Sequence, residues 1–437
     1  MSARRIEGVD VARGLASLIM IQGHAYDGWV TAEGKATAAY AFTRLLGSLP
    51  LPAFLVLAGA AVTLRVDAAR RRGEDLPAVR RAVMKRGAMI VLYGYLANVA
   101  YALMDGWETV DTLLRADVLH VIGLSIVALA WLGIRDDRRS MPRGAAALFV
   151  IPTALCPWLS PLGEHVDGPL RFAVGLFVDA PGVTLMPFVP LVAWVALGSL
   201  GCAAMLAARR AGGNDAPTRW LAASGKDDSA RLGGGTPCPA RQSLGRNASA
   251  FRPRPGALDT TSRSPIHHTH LRRWLRALPA ASERALDAGA PTWFFGGLAA
   301  VALAVAIGAH VGTGALVDGL GGALTRAHPA VWLNVVDLGA RGLLVLCVGA
   351  LISQRVGARA KRLLIRLGQG SLVAYVFHIP FCYGRLGEPL RGRLDMAEST
   401  AAVVALMGVS VVAVYARDAA RAAWRRRAGT VVGGVLR

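Results

Sequence analysis

Residues 183–208 read VTLMPFVPLVAWVALGSLGCAAMLAA, a stretch without a single charged side chain. As an α-helix it is long enough to cross the roughly 30 Å hydrocarbon core of a bilayer. Similar runs recur along the chain of 437 residues, of which 54% are hydrophobic and only 18% are charged. The 50 glycines fit a membrane bundle, because small residues let helix backbones approach closely. The sequence therefore predicts an all-α, polytopic transmembrane helix bundle.

Hydropathy predicts about ten membrane spans, in two groups that are separated by one long loop. Residues 1–208 hold six spans, 209–290 form a basic loop rich in Gly and Pro that is predicted to be largely disordered, and 291–437 hold four spans and a basic tail. The predicted spans cover about 9–30, 45–64, 87–104, 117–134, 144–160, 183–208, 291–311, 331–353, 367–383 and 399–415.

The net charge of +21 is unevenly distributed between the segments that connect these spans. Taken alternately from the N-terminus, one set holds 39 Lys and Arg against 13 Asp and Glu, and the other holds 8 against 11. Basic connections mark the cytoplasmic side. Both termini and loop 209–290 are therefore predicted to be cytoplasmic. The basicity is then a topology signal with some attraction to anionic lipid, and we expect no nucleic-acid partner.

No metal centre is expected either. The five cysteines have no paired spacing of the kind that metal ligands or a disulfide framework show. His267, His268 and His270 lie close together in loop 209–290, but no cysteine or carboxylate nearby completes a tetrahedral set.

Six ionisable residues remain inside the predicted spans, where a charge is costly and usually faces a polar site. Asp337 and Arg341 are four residues apart, so they share a helix face and can pair. Such a pair could stabilise the bundle or take part in catalysis. For the ionisable residues near the ends of predicted spans, the alternative is a position in the lipid headgroup region. The six are Asp10, Arg13, Asp27, Asp117, Asp337 and Arg341.

The first span carries a polar stripe. Six residues share one face because they follow a 3-4-3-4-3 spacing: Asp10, Arg13, Ser17, Met20, His24 and Asp27. Arg13 and His24 are about 16 Å apart along the helix axis. The stripe thus runs from the predicted cytoplasmic surface into the outer half of the membrane. Asp27, one turn after His24, can orient its imidazole.

Two further histidines lie in predicted spans beside polar residues. Asp117 and His120 are three residues apart at the start of the fourth span. Tyr375 and His378 share a face of the ninth span. A lone histidine in a membrane is more often a hydrogen-bonded bundle residue than a catalytic one, and this is the alternative reading of His378.

Residues 5–29 read RIEGVDVARGLASLIMIQGHAYDGW, with Arg-Ile, Asp-x-x-Arg-Gly and Met-x-x-x-His in order. This opening resembles that of bacterial members of the heparan-alpha-glucosaminide N-acetyltransferase catalytic-domain family, which implies a multi-pass protein of a bacterial inner membrane. The spacing between Arg13 and His24 is similar to that in the wider superfamily of integral-membrane acyltransferases. Further segments resemble the family in its own order, and they lie at 54–59, 85–87, 117–124, 186–191 and 367–380.

The resemblance implies transfer of an acyl group, acetyl in this family, from cytoplasmic acyl-CoA to a sugar amine or hydroxyl of a glycan or glycolipid across the membrane. His24 would act as the general base, with Asp27 orienting it. Arg13 would hold the phosphates or pantetheine amide of acetyl-CoA, and Asp10 would position Arg13. Residues expected to line the acceptor side or to support the site are Asp117, His120, Asp337, Arg341, Tyr375 and His378.

Two other functional classes stay open at this point. A transporter or flippase would use the same stripe as a proton or substrate path, and a structural membrane protein would use it for packing. We find no pair of Gly- or Pro-interrupted spans at matching places in the two halves, which argues against a transporter. The acceptor, the acyl chain length, N- or O-acylation, a covalent or direct route and homo-oligomerisation are left undetermined by the residues.

Overall fold

The computed structural model describes residues 7–105, 110–211, 296–309 and 328–435, and every regular element in them is a helix. The β pairing within these ranges consists of two isolated bridges, Val30 with Leu394 and Ala116 with Thr184. The all-α prediction is thus confirmed for the described part of the chain. Nearly all of loop 209–290, including Cys238 and its three histidines, lies outside the described residues.

The helices occupy both halves of the chain. In the first half they are α1 (Glu7–Trp29), α2 (Ala32–Lys35), α3 (Ala38–Gly47), α4 (Pro50–Arg71), α5 (Leu76–Asp105), α6 (Val110–Leu114), α7 (Val118–Gly133), α8 (Ser140–Leu159), α9 (Leu170–Gly175) and α10 (Phe188–Ala211). In the second half they are α11 (Gly296–Ala309), α12 (His328–Arg355), α13 (Ala358–Gln369), α14 (Ser371–Cys382) and α15 (Met396–Val435). Two short 3₁₀ turns follow α8 and α14, at Ser160–Glu164 and Arg385–Gly387.

Within the described ranges, six stretches are long and apolar enough to cross a membrane. They are Ala38–Arg71, Leu76–Met104, Ser140–Glu164, Phe188–Ala207, Val331–Arg355 and Met396–Arg426. Shorter apolar helices are Val118–Gly133, Gly296–Ala309 and Ser371–Cys382. With α1, which carries the polar stripe, these helices coincide with the ten predicted hydrophobic stretches. The ninth stretch is divided at Gly370, where a Cβ would lie 2.5 Å from a methyl carbon of Val414 in α15.

α1 is a central helix, in contact with α3, α4, α12, α13, α14 and α15. Glycine makes the closest of these contacts possible. A Cβ at Gly14 would overlap the carbonyl of Leu364 in α13, and a Cβ at Gly28 would overlap that of Cys382 in α14. Small residues at such crossings bring whole backbones together. The polar stripe of α1 is therefore enclosed largely by protein, and Ser17 in its middle is fully buried.

A second group of helices, α4, α5, α7, α8 and α10, packs around its own apolar core. Gly59 and Gly198 let α4 and α10 touch through their backbones, and the hydroxyls of Thr63 and Ser199 lie 2.8 Å apart beside them. Trp194 of α10 donates a hydrogen bond of 3.1 Å to the carbonyl of Val335 in α12. Through α12 and α4, which both contact α1, this core is joined to the helices that surround α1.

Candidate functional site

His24 and His378 are in direct hydrogen-bonding contact between α1 and α14. Nδ1 of His24 lies 2.8 Å from Nε2 of His378, and the two rings are stacked with centroids 5.1 Å apart. Nδ1 of His378 lies 2.7 Å from the carbonyl oxygen of Ala374, one turn earlier in α14. The two histidines are 354 positions apart in the chain, so only the packing of α14 against α1 brings them together.

This hydrogen-bonded chain determines which ring nitrogens carry protons. A carbonyl oxygen only accepts, so Nδ1 of His378 donates to Ala374. His378 is fully buried and no carboxylate of the described residues contacts it, so it is neutral and its Nε2 is an acceptor. His24 must therefore donate from Nδ1. That leaves Nε2 of the half-buried His24 with its lone pair, and no described residue hydrogen-bonds to it.

Asp27 is held by residues other than His24. Its Oδ1 accepts hydrogen bonds from Arg44 at 3.0 Å and from Tyr40 at 3.2 Å, and its Oδ2 accepts one from Tyr383 at 3.0 Å. The ring centroid of Tyr383 lies 5.5 Å from that of His24. The hydrogen bond to His24 expected from Asp27 is thus made by His378, and Asp27 instead fixes Tyr383 beside the imidazole.

Asp117 and His120 form a buried pair at the start of α7. Oδ1 of Asp117 accepts from the backbone N–H of Leu119 at 2.9 Å, which caps the helix, and lies 2.8 Å from Nδ1 of His120. Oδ2 accepts a hydrogen bond of 3.1 Å from Tyr375. The Tyr375 ring is 6.1 Å from that of His378. Tyr375 therefore connects the N-terminus of α7 to the histidine pair.

Replacing Gly94 in α5 by alanine is expected to displace His120. A Cβ there would lie 2.7 Å from Cε1 and 2.9 Å from Nε2 of the His120 ring. The ring has little room to yield because Tyr95 packs against it, with centroids 4.3 Å apart. Overpacking costs roughly 1–3 kcal/mol, so the melting temperature of the protein in detergent should fall. Gly201→Ala is the matched control, since no atom lies within 4 Å of its Cβ position. Equal melting temperatures for both variants would contradict this packing.

Asp10 and Arg13 form a separate polar cluster towards the start of α1. Nη1 of Arg13 lies 3.9 Å from Oδ1 of Asp10. Gln369, at the end of α13, donates a hydrogen bond of 3.2 Å to Oδ2 of Asp10. Asp10 is buried, whereas the Arg13 side chain is 25% exposed. Arginine is the side chain best suited to bind phosphate and other anionic groups, and here it lies beside a buried carboxylate that can position it.

Asp337 and Arg341 in α12 form the ion pair that their spacing predicts. Nε and Nη2 of Arg341 donate to the two carboxylate oxygens at 2.8 and 2.7 Å, and Nη1 donates to the hydroxyl of Ser48 at 2.6 Å. The two side chains are only 11% and 8% exposed. Ser48 follows Gly47, whose Cα lies 3.0 Å from a Cβ position on Gly23. The pair therefore lies near the level of His24 in the bundle.

Five residues of these clusters are not predicted from the sequence. Tyr383 is the last residue of the ninth predicted span, and Arg44 and Tyr40 precede the second, so each looks like an ordinary polar residue of a span end or a connection. The residues missed are Gln369, Tyr383, Tyr40, Arg44 and Ser48. Among the described residues no cluster of three His, Cys, Asp or Glu side chains is arranged to hold a metal ion.

A comparison with known families gives a match to the first half of the chain. Residues 5–228, about half of the chain, match the family described as "Heparan-alpha-glucosaminide N-acetyltransferase, catalytic". A comparison with curated proteins found no match. The matched range includes Arg13, His24 and the Asp117–His120 pair, whereas Tyr375 and His378 lie beyond it. The resemblance seen in the first span is confirmed, and the chain belongs to the heparan-alpha-glucosaminide N-acetyltransferase catalytic-domain family of membrane acetyltransferases.

Proposed function

We propose that this protein moves an acetyl group from cytoplasmic acetyl-CoA to a sugar amine or hydroxyl on the other side of the membrane, with His24 as the general base. The observation that carries the proposal is the 2.8 Å contact between Nδ1 of His24 and Nε2 of His378, from which we infer that Nε2 of His24 keeps its lone pair. Acyl transfer needs a base that removes the acceptor proton. The hydrogen bond from Nδ1 of His24 to His378 holds the imidazole in the tautomer that can do so.

The proposed step is a direct transfer. The acceptor nitrogen or oxygen attacks the thioester carbonyl carbon while its proton passes to Nε2 of His24. The C–S bond then breaks, and the coenzyme A thiolate leaves and takes up a proton. Asp27 supports the step indirectly, because its hydrogen bond to Tyr383 keeps that ring against the imidazole. Tyr375 donates a hydrogen bond to Asp117 and lies beside His378, with ring centroids 6.1 Å apart, so it helps to hold His378 in place.

Donor binding is assigned to the Asp10–Arg13 cluster, about 16 Å along α1 from His24. An extended pantetheine arm can span a separation of this order.

Removing the Arg13 guanidinium is expected to raise KM for acetyl-CoA about 10- to 100-fold, as for loss of one hydrogen bond to a charged group. Arg13→Lys should recover little, because an ammonium lacks the planar fork. Enzyme kinetics with Arg143→Gln, an exposed arginine, as control would check this, and an unchanged KM would refute the assignment.

We also propose ten spans with both termini and loop 209–290 in the cytoplasm of a bacterial inner membrane. The charge asymmetry and the coincidence of helices with all ten hydrophobic stretches support this topology. Four of the five cysteines are buried: Cys156, Cys202, Cys347 and Cys382. An impermeant maleimide should therefore label Cys238, and only after the cells are opened. Cys238→Ser should abolish the signal, and labelling of intact cells would reverse the topology.

The activity itself is tested with radiolabelled acetyl-CoA. Membranes that contain the protein should pass the label to a glycan or glycolipid fraction, and membranes that contain the His24→Ala protein in equal amount should not. Base-stable label would indicate an amide, whereas label released by mild base would indicate an ester. Label that stays on coenzyme A, with acceptor-rich extracts present on both sides of the membrane, would overturn the proposed transfer.

A further inference from the structure

α13 has two different faces. Leu367 and Gly368 are buried against α1, and Gly368 is so close to the carbonyl of Asp10 that a Cβ there would overlap it. The opposite face is exposed and follows an i, i+3, i+4, i+7 spacing, so its side chains form one continuous strip. This strip, called the α13 outer face below, consists of Arg359, Arg362, Leu363 and Arg366.

The three arginines of the α13 outer face have no counter-ion in the described part of the chain. Lys361, on the flank of the helix, is neutralised by Glu7, with Nζ 2.5 Å from the carboxylate. No carboxylate of the described residues pairs with Arg359, Arg362 or Arg366. The guanidinium of Arg366 lies over the ring of Tyr415, 4.8 Å from its centroid. Three guanidinium groups on one exposed strip therefore create a positive surface that the protein leaves uncompensated.

The position of α13 shows which anions can reach this surface. The apolar helix before it ends at Arg355, and the apolar helix after it begins at Ser371. α13 therefore lies at the boundary of the hydrophobic layer, at the depth of the lipid headgroups. Leu363, 36% exposed between the arginines, adds an apolar side chain that suits an interface and not open water.

We propose that the α13 outer face binds the phosphate groups of anionic phospholipids. Guanidinium groups bind phosphate in a bidentate manner, and each cation near an anionic bilayer surface strengthens binding about fivefold. Three arginines thus favour an anionic over a neutral phospholipid about a hundredfold at this site. Which leaflet is used depends on the topology proposed above, whereas the binding itself does not depend on the proposed enzymatic function.

The test measures lipid association directly. The full-length protein is reconstituted in phosphatidylcholine vesicles with increasing phosphatidylglycerol, and association of spin-labelled phosphatidylglycerol is followed by electron paramagnetic resonance. The wild type should bind it preferentially, and the triple variant R359Q/R362Q/R366Q should lose about a hundredfold of this preference at the site. The variant R359K/R362K/R366K keeps the charge and should fall in between, which also shows that the helix still folds.

A matched control removes three exposed arginines from the α7–α8 connection, in the variant R135Q/R138Q/R139Q, with the same change in net charge. It should retain the lipid preference of the wild type. Equal losses in the two Gln triples would overturn the proposal, because general charge and not α13 would then govern binding. Coenzyme A binding in pure phosphatidylcholine provides the second arm. If the α13 Gln triple binds coenzyme A more weakly than the control triple, the face takes donor phosphates and the lipid proposal is wrong.

Discussion

Replacing His24 by alanine is expected to lower the turnover of acetyl transfer about 10²–10⁴-fold, the range typical of a lost general base. Coenzyme A binding should persist, because the donor is held at the Asp10–Arg13 cluster about three turns away on α1. Steady-state kinetics together with equilibrium binding of coenzyme A would separate the two effects. Full transfer by His24→Ala would show that the assignment of the base is wrong, and His120 would be the next histidine to test.

His378→Phe gives the matched test of the hydrogen bond between the histidines. Phenylalanine keeps an aromatic ring against His24 but removes the acceptor for its Nδ1 proton. His24 is then free to adopt the other tautomer, so kcat should fall by less than in His24→Ala while KM for the donor stays unchanged. His378→Gln, whose side-chain oxygen can accept, should recover part of the loss. A structural role alone would lower stability in both variants without this rescue.

Replacing Asp337 by asparagine is expected to destabilise the protein by about 3–5 kcal/mol, because the buried guanidinium of Arg341 then lacks its counter-charge. The two side chains form a bidentate ion pair and are almost completely buried. Removing one partner is therefore expected to destabilise the protein more than breaking an exposed ion pair would. Thermal unfolding in detergent would show the loss. Changing both residues at once, as Asp337→Leu with Arg341→Met, should recover much of it.

An exposed ion pair serves as the control for the Asp337–Arg341 pair. Arg143 and Asp137 form an ion pair of 3.2 Å whose side chains are 68% and 54% exposed. Arg143→Gln should cost roughly 0–1 kcal/mol, because water screens the partners. If Asp337→Asn and Arg341→Gln are instead as stable as the wild type but inactive, the pair belongs to the catalytic site. Its nearness to the level of His24 makes that outcome a direct test of its role.

The polar stripe could be read from the sequence because it depends on helical periodicity alone. Asp10, Arg13, Ser17, Met20 and His24 follow one another at intervals of three or four positions, so any helix through them places them on one face. The same local rule gave the Asp337–Arg341 pair and the contact of His120 with Asp117. Each of these contacts joins residues within one turn, which is why no knowledge of the bundle was needed to expect them.

The partners of His24 and Asp27 could not be read in this way. His378 and Tyr383 come from α14 and the residue that follows it, and no periodicity relates a position in one helix to a position in another. Which helices meet is decided by shape, here by Gly28 of α1 lying against the backbone at Cys382. Asp27 was the expected partner of His24 because it lies one turn further along the same helix. The packing of α14 against α1 instead makes His378 the hydrogen-bond partner.

The sequence by itself determined that this protein is a bundle of apolar helices, where its charges lie along the chain and to which family its first span belongs. Those properties follow from composition, periodicity and short motifs, which act within a few residues. The tertiary structure alone decided that His378 holds the tautomer of His24, that Gln369 joins Asp10 to α13 and that Ser48 supports Arg341. These contacts depend on the close approach of separate backbones. Glycines permit this approach, but which backbone each glycine meets depends on the tertiary structure.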